Sequence, residues 1–443
     1  MHTPSRASCL ADPRTTAARN VVAVLQGRSL DSVLSETAAA LEPRDRALAA
    51  ELSYGVCRWY RRLDALVARR LQRPLKSKDR DLQALLLVGA YQLLYSRVPA
   101  HAAISSTVEA SRALGKGWAS KLVNGVLRGL QRDHQALAAA VDVDPAVRHA
   151  QPDWLYEALA DAWPEQLGAI LDALQARPPM TLRVDLVQSG RDEYAQELAA
   201  TGLSGRPHPQ VPSALVLDEP TSVDRLPGFG AGRVSVQDAG AQLAAPFLDL
   251  QPGQSVLDAC AAPGGKTLHL LQHAADLQLT ALDIDKQRLD RVAENLQRAG
   301  RHAELQVGDA AQPDNTPWGR RTYERILVDA PCSAVGVMRR HPDIRLLRRA
   351  ADVPALVARQ ARILDALWEL LRPGGRMLYV TCSLLPVENA DQIEGFCARH
   401  GDARAVELPL GPGSRSGKGV QLLPGIDDTD GFYYAALIKA SGA

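Results

Sequence analysis

The feature that most constrains the fold is an alternation of apolar, strand-like runs with helical segments from residue 241 onward. Five short runs carry this pattern: "QSVLDA", "QLTALDID", "HAELQVGD", "YERILVDAP" and "GRMLYVTCS". Helical periodicity separates them at 265–275, 286–299 and 353–371. Such spacing is typical of a parallel, doubly wound α/β sheet of the Rossmann-like kind. The closing run "GFYYAALIKA" (431–440) predicts a last strand at a sheet edge.

The amino-terminal third has a different pattern, in which apolar residues recur every three or four positions and β-type alternation is scarce. Segments 42–71, 78–99 and 120–133 show this helical period. Prolines then punctuate a linker, and short strand-like runs surround one helix. We therefore predict four parts: an all-α domain at 1–139, a linker with short helices at 140–179, a small α+β insert at 180–238, and an α/β domain at 239–443.

Composition indicates an ordinary globular protein, since 46% of the 443 residues are hydrophobic and 23% are charged. No apolar run approaches the ~20 residues that cross a bilayer, and the first residues lack the apolar centre of a secretory signal. The six cysteines are irregularly spaced, which favours reduced thiols and a cytoplasmic location. Because C-x-x-C and H-E-x-x-H motifs are missing from the sequence, we predict no metal site.

The net charge of +1 conceals a strong asymmetry along the chain. Residues 1–150 carry an excess of nine positive charges, 151–240 an excess of seven negative charges, and 241–443 an excess of one negative charge. Much of the positive charge falls in a basic belt: Arg58, Arg61, Arg62, Arg69, Arg70, Arg73, Lys76, Lys78 and Arg80. This asymmetry suggests contact with a polyanion, most simply a nucleic acid. A solvated helical surface explains the same charge equally well.

The stretch "DACAAPGGKT" (258–267) is close to the phosphate-binding loop of nucleotide triphosphatases. That loop needs glycine at its first position so that backbone amides can wrap the phosphates, and Cys260 stands there instead. The later run "RILVD" resembles the apolar strand that ends in a magnesium-binding aspartate. Two hypotheses therefore stay open: a triphosphatase with a broken motif, or a nucleoside-type ligand bound at the edge of a Rossmann-like sheet.

Carboxylates at the ends of consecutive strands favour the second hypothesis. Asp258, Asp283 and Asp309 close the first three strands. Asp283 follows Gly264 by 19 residues, a position from which a carboxylate binds ribose hydroxyls, and Asp309 can meet an adenine edge. A lone aspartate is usually a turn or helix cap, but three in phase indicate a ligand. S-adenosylmethionine fits this pattern, whereas NAD fits less well because the first turn lacks G-x-G-x-x-G.

Two cysteines follow the next strands, in "VDAPCSAVG" and "YVTCSLLP", which places Cys332 and Cys382 at the ligand edge. We interpret Cys9, Cys57 and Cys397 as ordinary apolar residues of the interior. A thiol beside a methyl donor suits methylation of cytosine carbon 5, which is not nucleophilic by itself. Addition of a thiolate to carbon 6 makes carbon 5 nucleophilic, and a carboxyl group at ring nitrogen 3 stabilises the adduct. The target base must lie in a loop or leave its stack.

Three motifs together, "DACAAPGGK", "VDAPCSAVGVMRRHPD" and "YVTCSLLPVEN", resemble the RNA cytosine-carbon-5 methyltransferases. The amino-terminal helices, including "KLVNGVLR", are similar to the domain of the antitermination factor NusB, and "RPPMTLRV" and "GRVSVQD" resemble the family's connecting segments. The resemblance spans the chain and implies RNA-binding roles for the helical domain and the insert. It implies an S-adenosylmethionine-dependent enzyme for a cytosine of 16S ribosomal RNA, position 967 in reference RNA numbering. We expect this enzyme to be a monomer. The expected partner is that RNA or a partly assembled small subunit.

The resemblance also implies roles for individual residues. Cys382 is the expected nucleophile, Cys332 assists release of the methylated base, and Asp329 contacts the cytosine ring. Lys266 is expected among the catalytic residues, and it is also expected to contact the methionine arm of the cofactor. The expected cofactor shell comprises Cys260, Ala261, Ala262, Pro263, Gly264, Gly265, Lys266, Asp283, Asp309 and Asp329.

Two further expectations concern RNA. The family's usual "LRVN" reads "LRVD" here, so Asp185 is expected to alter an RNA contact. The segment "MRRHPDIRLLRR" (338–349) carries five arginines just after Cys332, and we expect them to contact phosphates.

Two other classes of protein compete with the methyltransferase. One is an RNA-binding or antitermination module, which has no use for Cys332 and Cys382. The other is the triphosphatase.

Overall fold

The computed structural model describes residues 12–441, which divide into two compact units. One unit comprises the chain up to Asp161 together with Met338–Arg349, and the other comprises Ala162–Val337 and the chain from Ala350 onward. The helices are α1 (Pro13–Leu25), α2 (Leu30–Thr37), α3 (Pro43–Ala68), α4 (Arg80–Tyr95), α5 (Ala100–Ala113), α6 (Ser120–Val141), α7 (Pro145–Arg148), α8 (Asp153–Ala162), α9 (Leu167–Gln175), α10 (Arg191–Ala200), α11 (Ala244–Leu248), α12 (Gly265–His273), α13 (Lys286–Arg298), α14 (Ile344–Leu347), α15 (Asp352–Leu370) and α16 (Ala390–Arg399). Across residues 12–441, none of these helices combines the length and apolar character needed to span a membrane.

The strands all belong to the second unit and form two sheets. They are β1 (Thr181–Val184), β2 (Gly205–Pro207), β3 (Ala214–Leu217), β4 (Val234–Val236), β5 (Ser255–Ala259), β6 (Gln278–Asp283), β7 (Glu304–Val307), β8 (Tyr323–Asp329), β9 (Leu371–Thr381), β10 (Ala403–Val406), β11 (Ser414–Ser416), β12 (Gly419–Leu422) and β13 (Phe432–Lys439). The predicted all-α, α+β and α/β regions are therefore confirmed in chain order.

The helical unit is built around α4, whose sequence "RDLQALLLVGAYQLLY" is apolar on almost every side. Such a helix must be surrounded, and α1, α3, α5 and α6 enclose it. The helices approach closely where glycine leaves room. A Cβ atom at Gly55 of α3 would lie 2.0 Å from the ring of Tyr91 on α4, so only glycine allows this crossing. The resulting core contains apolar side chains from all five helices.

The segment after Cys332 belongs to the helical unit and is anchored there by buried polar groups. Arg345 donates from Nη1 to the carbonyl oxygen of Arg58 over 2.7 Å, and Arg58 donates from Nη2 to the carbonyl oxygen of Arg339. The Asp343 carboxylate accepts a hydrogen bond from the Leu30 amide at 2.9 Å. The expectation that all five arginines of this segment contact phosphate is wrong, because Arg339 and Arg345 are 3% and 4% exposed.

In the second unit, the smaller sheet is antiparallel in the order β2-β3-β1-β4 and packs against α10. Its predicted strands and helix are confirmed, and β2 is an addition that the sequence pattern did not predict. Leu182, Leu215 and Tyr194 form the centre of its core. This small α+β layer matters for the site because Arg183, on β1, donates to the carbonyl oxygen of Gly265 at the start of α12.

The larger sheet has the order β11-β12-β13-β9-β8-β5-β6-β7, with β10 also paired to β13. The five strands from β9 to β7 are parallel, and β13 joins β9 antiparallel. The prediction that the last strand lies at an edge is wrong, since β13 has β9 on one side and β12 on the other. Its run of buried residues, Phe432 to Leu437, suits this central place.

The connections of the parallel strands leave a crevice at the carboxyl edge beside β5. From β5 the chain proceeds to β6 and β7 on one side, and it later adds β8 and β9 on the other. The order reverses at β5, and the loops that follow β5 and β8 leave in opposite directions. Ligands of doubly wound sheets bind outside such a switch point.

Replacing Arg345 with Ala should destabilise the helical unit, because Arg58 loses a buried donor to its carbonyl oxygen and a cavity forms. We expect the free energy of unfolding to fall by roughly 2–4 kcal/mol. Urea unfolding followed by far-ultraviolet circular dichroism measures this change. Arg44→Ala, at an exposed position on α3, is the matched control and should change it by less than about 0.5 kcal/mol. Equal effects of the two substitutions would contradict the anchoring role.

Candidate functional site

A cavity of about 250 Å³ lies at the carboxyl edge of the large sheet, beside the switch point at β5. Seven residues singled out from the sequence line it: Cys260, Ala262, Asp283, Asp309, Asp329, Cys332 and Cys382. They come from the loops or ends of β5, β6, β7, β8 and β9, so five strands contribute to one site. The remaining wall comprises Leu282, Ile284, Arg288, Gly308, Ala310, Ala330, Pro331, Ala334, Arg359 and Ile363.

Asp283, the last residue of β6, is held by backbone amides. Its Oδ2 accepts from the amide of Ala262 at 3.1 Å, and its Oδ1 accepts from the amide of Asp285 at 3.0 Å. The carboxylate is almost completely buried, and the Arg288 guanidinium approaches it to 3.8 Å. These contacts fix its orientation before any ligand arrives.

Asp309 occupies the equivalent place after β7 and is more accessible. Its Oδ1 accepts from the amide of Ala311 at 3.1 Å, which fixes the turn, and Arg359 lies 3.9 Å away. Asp283 and Asp309 therefore present two oriented carboxylates on neighbouring strands.

The loop between β5 and α12 is shaped by left-handed backbone at Cys260 (φ 64°) and Gly264 (φ 95°). A Cβ atom at Gly264 would lie 3.0 Å from Cα of Val292 on α13, so glycine permits close packing of α13 against the start of α12. Of this loop, Cys260 and Ala262 line the cavity, whereas Ala261, Pro263, Gly264 and Gly265 do not. Helix packing and the turn therefore account for glycine at 264, and the expected ligand contact of this loop stays a prediction.

Asp258 does not line the cavity, so its predicted place beside a ligand is wrong. Its side chain is completely buried, and its Oδ2 accepts from Thr267 Oγ1 at 2.6 Å. Its other oxygen, Oδ1, has no hydrogen-bond partner in the part of the chain that the structure describes. Burial raises the pKa of Asp258 to about 7, which favours a neutral carboxyl group that ties β5 to α12.

Lys266 lies behind Asp329 and forms a short ion pair with it. Its Nζ donates to Asp329 Oδ2 at 2.7 Å and lies 5.5 Å from the ring centre of Phe432. Burial opposes the positive charge, but the charge and hydrogen bond of Asp329 outweigh it and raise the pKa of Lys266. Asp329 lines the cavity and Lys266 does not, so the lysine acts on the cavity through the aspartate.

Cys332 and Cys382 are side by side, with 3.5 Å between their sulfur atoms. Cys332 is the more deeply buried of the two. Its hydrogen bond with Cys382, together with burial, raises the pKa of the Cys332 thiol well above its usual range. Cys332 therefore stays protonated beside Cys382 at neutral pH. Among the described residues, the five cysteines form no disulfide bond.

The other cysteines have the environments of ordinary interior residues. Cys57 is fully buried in the core of the helical unit, and Cys397, on α16, is half-buried. Burial raises the pKa of both thiols. Cys9 lies outside the described residues.

Three family models match the chain with this domain order. The NusB family matches residues 11–132, a ferredoxin-like domain of RsmF/B-like methyltransferases matches 151–224, and 16S rRNA methyltransferase RsmB/F matches 245–438. Relatives extend the similarity over almost the whole chain. Ribosomal RNA small subunit methyltransferase B of Pseudomonas putida is 49% identical over 98% of this chain and 99% of its own. That of Escherichia coli is 45% identical over 96% of this chain and 98% of its own.

The chain belongs to the ribosomal RNA small subunit methyltransferase B family. It is accordingly a methyltransferase of 16S rRNA that uses S-adenosylmethionine. This membership rejects the triphosphatase hypothesis for "DACAAPGGKT" and the hypothesis of a module that only binds RNA.

Solved structures support the fold of this family member. The crystal structure of PH0851 superposes with a TM-score of 0.79 at 22% identity, covering 99% of this chain and 100% of that one. NSun6 from Pyrococcus horikoshii, solved with SFG, has a TM-score of 0.59 at 22% identity and covers 66% of this chain and 99% of its own. A methyltransferase homolog from the same organism, at 26% identity, has a TM-score of 0.58 over 67% of this chain and 98% of its own.

The lining of the cavity fits S-adenosylmethionine. Apolar side chains form part of its wall, including Ile284, which is 53% exposed, and Ile363. Oriented carboxylates suit a ligand with hydroxyl groups and a positive charge. In the described chain, no group of three or more His, Cys, Asp or Glu side chains is arranged to hold a metal ion.

Sequence reasoning missed the wall residues Ile284, Arg288, Arg359 and Ile363. Ile284 carried a detectable signal, since it is a large apolar residue between two aspartates at a strand end, in "LDID". Arg359 and Ile363 are four residues apart on α15, which puts them on one helical face, but the sequence does not show that this face meets the cavity.

The expected RNA contact of Asp185 is wrong, because this residue is buried. Its Oδ2 accepts from Gln188 and from Gln272 of α12, and its Oδ1 accepts from the amide of Val187. Asp185 therefore connects the small sheet to α12, and its carboxylate oxygens are engaged inside the protein.

The buried carboxyl group of Asp258 predicts a particular dependence of stability on pH. Its folded-state pKa of about 7 exceeds the unfolded value of 3.8, so the folded state binds the extra proton. Stability should therefore fall as pH rises from about 4 to 7, on the order of 1 kcal/mol per pH unit. Asp258→Asn should remove this decline and raise the melting temperature at pH 8.

Melting temperatures measured from pH 4 to pH 8 for the wild type and Asp258→Asn test this prediction. Asp276→Asn, which changes an exposed aspartate, provides the control and should leave the wild-type slope intact. Parallel pH curves for wild type and Asp258→Asn would show that the carboxyl group is ionised in the folded protein.

Proposed function

We propose that this chain methylates carbon 5 of a cytosine in 16S ribosomal RNA, position 967 in reference RNA numbering, through a covalent bond between Cys382 and the cytosine. The observation that carries the proposal is the pair of sulfur atoms, 3.5 Å apart, in one cavity with Asp329. A methyltransferase that acts on a nucleophilic nitrogen or oxygen has no need of two adjacent thiols. Carbon 5 of cytosine needs covalent activation, and a second group must later assist release.

The environments of the two thiols support different roles. Cys332 is buried and held protonated by its neighbour, whereas Cys382 is less buried. We therefore assign Cys382 as the nucleophile. Its thiolate adds to carbon 6, the carbon 5–carbon 6 double bond opens, and its electron pair makes carbon 5 nucleophilic. After methylation, a base takes the proton from carbon 5, the electron pair of that bond restores the double bond, and Cys382 leaves as a thiolate. We propose that Cys332, 3.5 Å from Cys382, assists this elimination.

S-adenosylmethionine supplies the methyl group that carbon 5 receives. We propose Asp283 and Asp309 as its hydroxyl and adenine contacts, with the loop of Cys260, Ala261, Ala262, Pro263, Gly264 and Gly265 beside them. Asp283 is suited to this because its carboxylate is already fixed by two amides. Ile284 and Ile363 offer the apolar surface for a flat ring.

We propose Asp329, which lines the cavity, as the contact to the cytosine ring. Lys266 occupies its Oδ2, which leaves Oδ1 to accept a hydrogen bond from the base. Addition of the thiol makes ring nitrogen 3 more basic, and a carboxylate that shares its proton stabilises the adduct. The buried ammonium of Lys266 keeps Asp329 in place and supplies positive charge nearby.

The helical unit offers an RNA contact at the carboxyl-terminal part of the basic belt. Arg61, Arg62 and Arg70 are engaged in ion pairs with aspartates of the same unit. In contrast, Arg73, Lys76, Lys78 and Arg80 are exposed, and their side chains form no hydrogen bond or ion pair within residues 12–441. Trp118, which is 65% exposed, lies beside three of them: Arg73, Lys76 and Lys78.

An exposed aromatic ring among basic side chains suits single-stranded or looped RNA, which binds through phosphates and base stacking. We therefore propose this patch as an RNA contact. The cytoplasmic location and the monomeric state expected from the sequence stay predictions.

Two cysteine variants test the chemistry. Cys382→Ala should lower methyl transfer to 16S rRNA by roughly 1,000-fold or more and form no covalent RNA adduct, because the nucleophile is gone. Cys332→Ala should form an adduct that survives denaturation, because release fails. Transfer of labelled methyl groups and a denaturing gel measure both outcomes, and mass spectrometry of the digested RNA identifies the methylated atom.

Cys397→Ala is the matched control, since it removes a half-buried thiol away from the cavity, and it should behave like the wild type. Exchanged phenotypes of the two variants would reverse the assignment of nucleophile. Label on another atom of the RNA would overturn the cytosine-carbon-5 proposal.

The RNA patch predicts a change in salt dependence. Replacing Arg73, Lys76 and Lys78 together with alanine should reduce the slope of log affinity against log salt concentration by about 2 to 3, because each lost phosphate contact contributes about 0.7 to 0.9. Filter binding of a 16S rRNA transcript over a range of salt concentrations measures the slope. A triple variant of the exposed Arg19, Arg44 and Arg46 carries the same charge change elsewhere on the unit and should keep the wild-type slope. Equal slopes for all three proteins would exclude the patch.

A further inference from the structure

Glu388 is a completely buried carboxylate that contacts both cysteine loops. It lies seven residues after the end of β9, in a short 3₁₀ turn, Pro386–Glu388. Its Oε2 accepts hydrogen bonds from the hydroxyl groups of Ser333 and Ser383. Its Oε1 accepts from the amide of Ser333 at 2.8 Å and from Gln360 Nε2 at 3.1 Å.

All four donors to this carboxylate are neutral, and no ion pair joins Glu388 to a cation within residues 12–441. A buried carboxylate in such a place is costly unless its oxygens are fully hydrogen-bonded. A methionine or leucine would fill the same volume without that cost. What a carboxylate offers in return is two oxygens that accept several hydrogen bonds at once, here from two separate loops.

These loops are the ones that carry the thiols. Ser333 directly follows Cys332, and Ser383 directly follows Cys382. Their hydroxyl oxygens are 3.1 Å apart and share Glu388 Oε2. One carboxylate oxygen therefore sets the distance between the residues that follow the two cysteines.

The turn that holds Glu388 is itself fixed to the strand that ends before Cys382. Tyr379 Oη donates to the carbonyl oxygen of Glu388 at 2.7 Å. Asn389 donates from Nδ2 to the carbonyl oxygen of Ser383 at 3.0 Å and accepts from Thr381 Oγ1 at 2.6 Å. The carboxylate is thus a rigid support for the loops.

We infer that Glu388 is a positioning residue of the proposed methyl transfer: by binding the serines that follow Cys332 and Cys382, its carboxylate holds the two thiols side by side. The effect of Glu388 on methyl transfer rests on the proposed function. Its effect on the distance between the two thiols does not depend on that function. Glu388 does not line the cavity, so it acts through the cysteine loops and does not touch the reacting atoms.

Phenylarsine oxide tests the geometry without any assay of methylation. This reagent exchanges its oxygen for two arsenic–sulfur bonds and releases water, so it captures thiols tightly only where two of them are adjacent. Wild-type protein should capture one equivalent, and Cys332→Ala should lose tight capture. Glu388→Ala should weaken capture at least 10-fold, whereas Glu388→Gln should retain most of it, because an amide can exchange hydrogen bonds with both serine hydroxyls.

Asp343→Asn is the matched control, since it removes a buried carboxylate of the helical unit, and it should capture the reagent like the wild type. If Glu388→Ala does not fold, as judged by circular dichroism, the double variant Ser333→Ala/Ser383→Ala removes the same hydroxyl contacts and should weaken capture in its place. The inference would be overturned if folded Glu388→Ala, or the folded double variant, captured the reagent with wild-type affinity.

Steady-state kinetics test the catalytic part. A misplacement of the thiols predicts a fall in kcat of about 10- to 100-fold in Glu388→Ala, with KM for S-adenosylmethionine unchanged and with rescue in Glu388→Gln. A rise in KM with unchanged kcat would contradict a positioning role. Failure of the proposed function has a different result: the wild type itself would not methylate cytosine, while the reagent would still distinguish Glu388→Ala from Glu388→Gln.

Discussion

The parallel pairing of β8 with β9 is the constraint on which the site depends. In this register Asp329, the last residue of β8, lies opposite Val380 of β9. Cys332 follows Asp329 by three residues, and Cys382 follows Val380 by two. The two loops therefore leave the carboxyl edge of the sheet side by side, and their cysteines lie at a similar distance beyond it. A slip of one residue would turn every side chain of one strand to the other face. The register is protected because Ile326, Leu327, Met377 and Leu378 are buried.

Buried polar groups then convert this backbone arrangement into fixed side-chain positions. Lys266 holds Asp329, two amides hold Asp283, and Glu388 holds the serines beside the cysteines. Lys266 is more buried than Asp329, with side-chain exposures of 13% and 29%, and Glu388 and the two serines are completely buried. Hydrogen bonds shielded from water in this way are stronger than exposed ones, so they hold the groups beside the cavity firmly.

The sequence allowed prediction of the groups that depend on local pattern. Strand ends are local features, so the ends of β6, β7, β8 and β9 correctly located Asp283, Asp309, Asp329 and Cys382. The prediction for Asp258 was wrong because this residue precedes the last residue of β5, and its side chain points to a face of the sheet that a helix covers. Its partner, Thr267, identifies that helix as α12.

The remaining failures involve contacts between distant parts of the chain. The place of β13 depends on strand order, which periodicity does not contain, although its unbroken apolar run is typical of a strand covered on both faces. The arginines at 338–349 looked like a solvent-exposed basic segment because charge normally indicates exposure. Arg345 is buried, and its guanidinium donates a hydrogen bond to the carbonyl oxygen of Arg58, nearly three hundred residues earlier. Burial lowers the pKa of Arg345 to about 9, which shows how strongly the site opposes the charge that the sequence suggests is solvated.

This distinction between local and distant information also explains why Glu388 was not singled out. In "YVTCSLLPVEN" the cysteine attracts attention because a thiol can form covalent bonds, whereas a glutamate six residues later resembles an ordinary turn residue. Its significance depends on Ser333, fifty-five residues earlier, which comes close only after β8 and β9 pair. The same pairing that aligns the thiols therefore also assembles their support. Because the support forms only in the paired sheet, the two thiols are adjacent only in the folded protein.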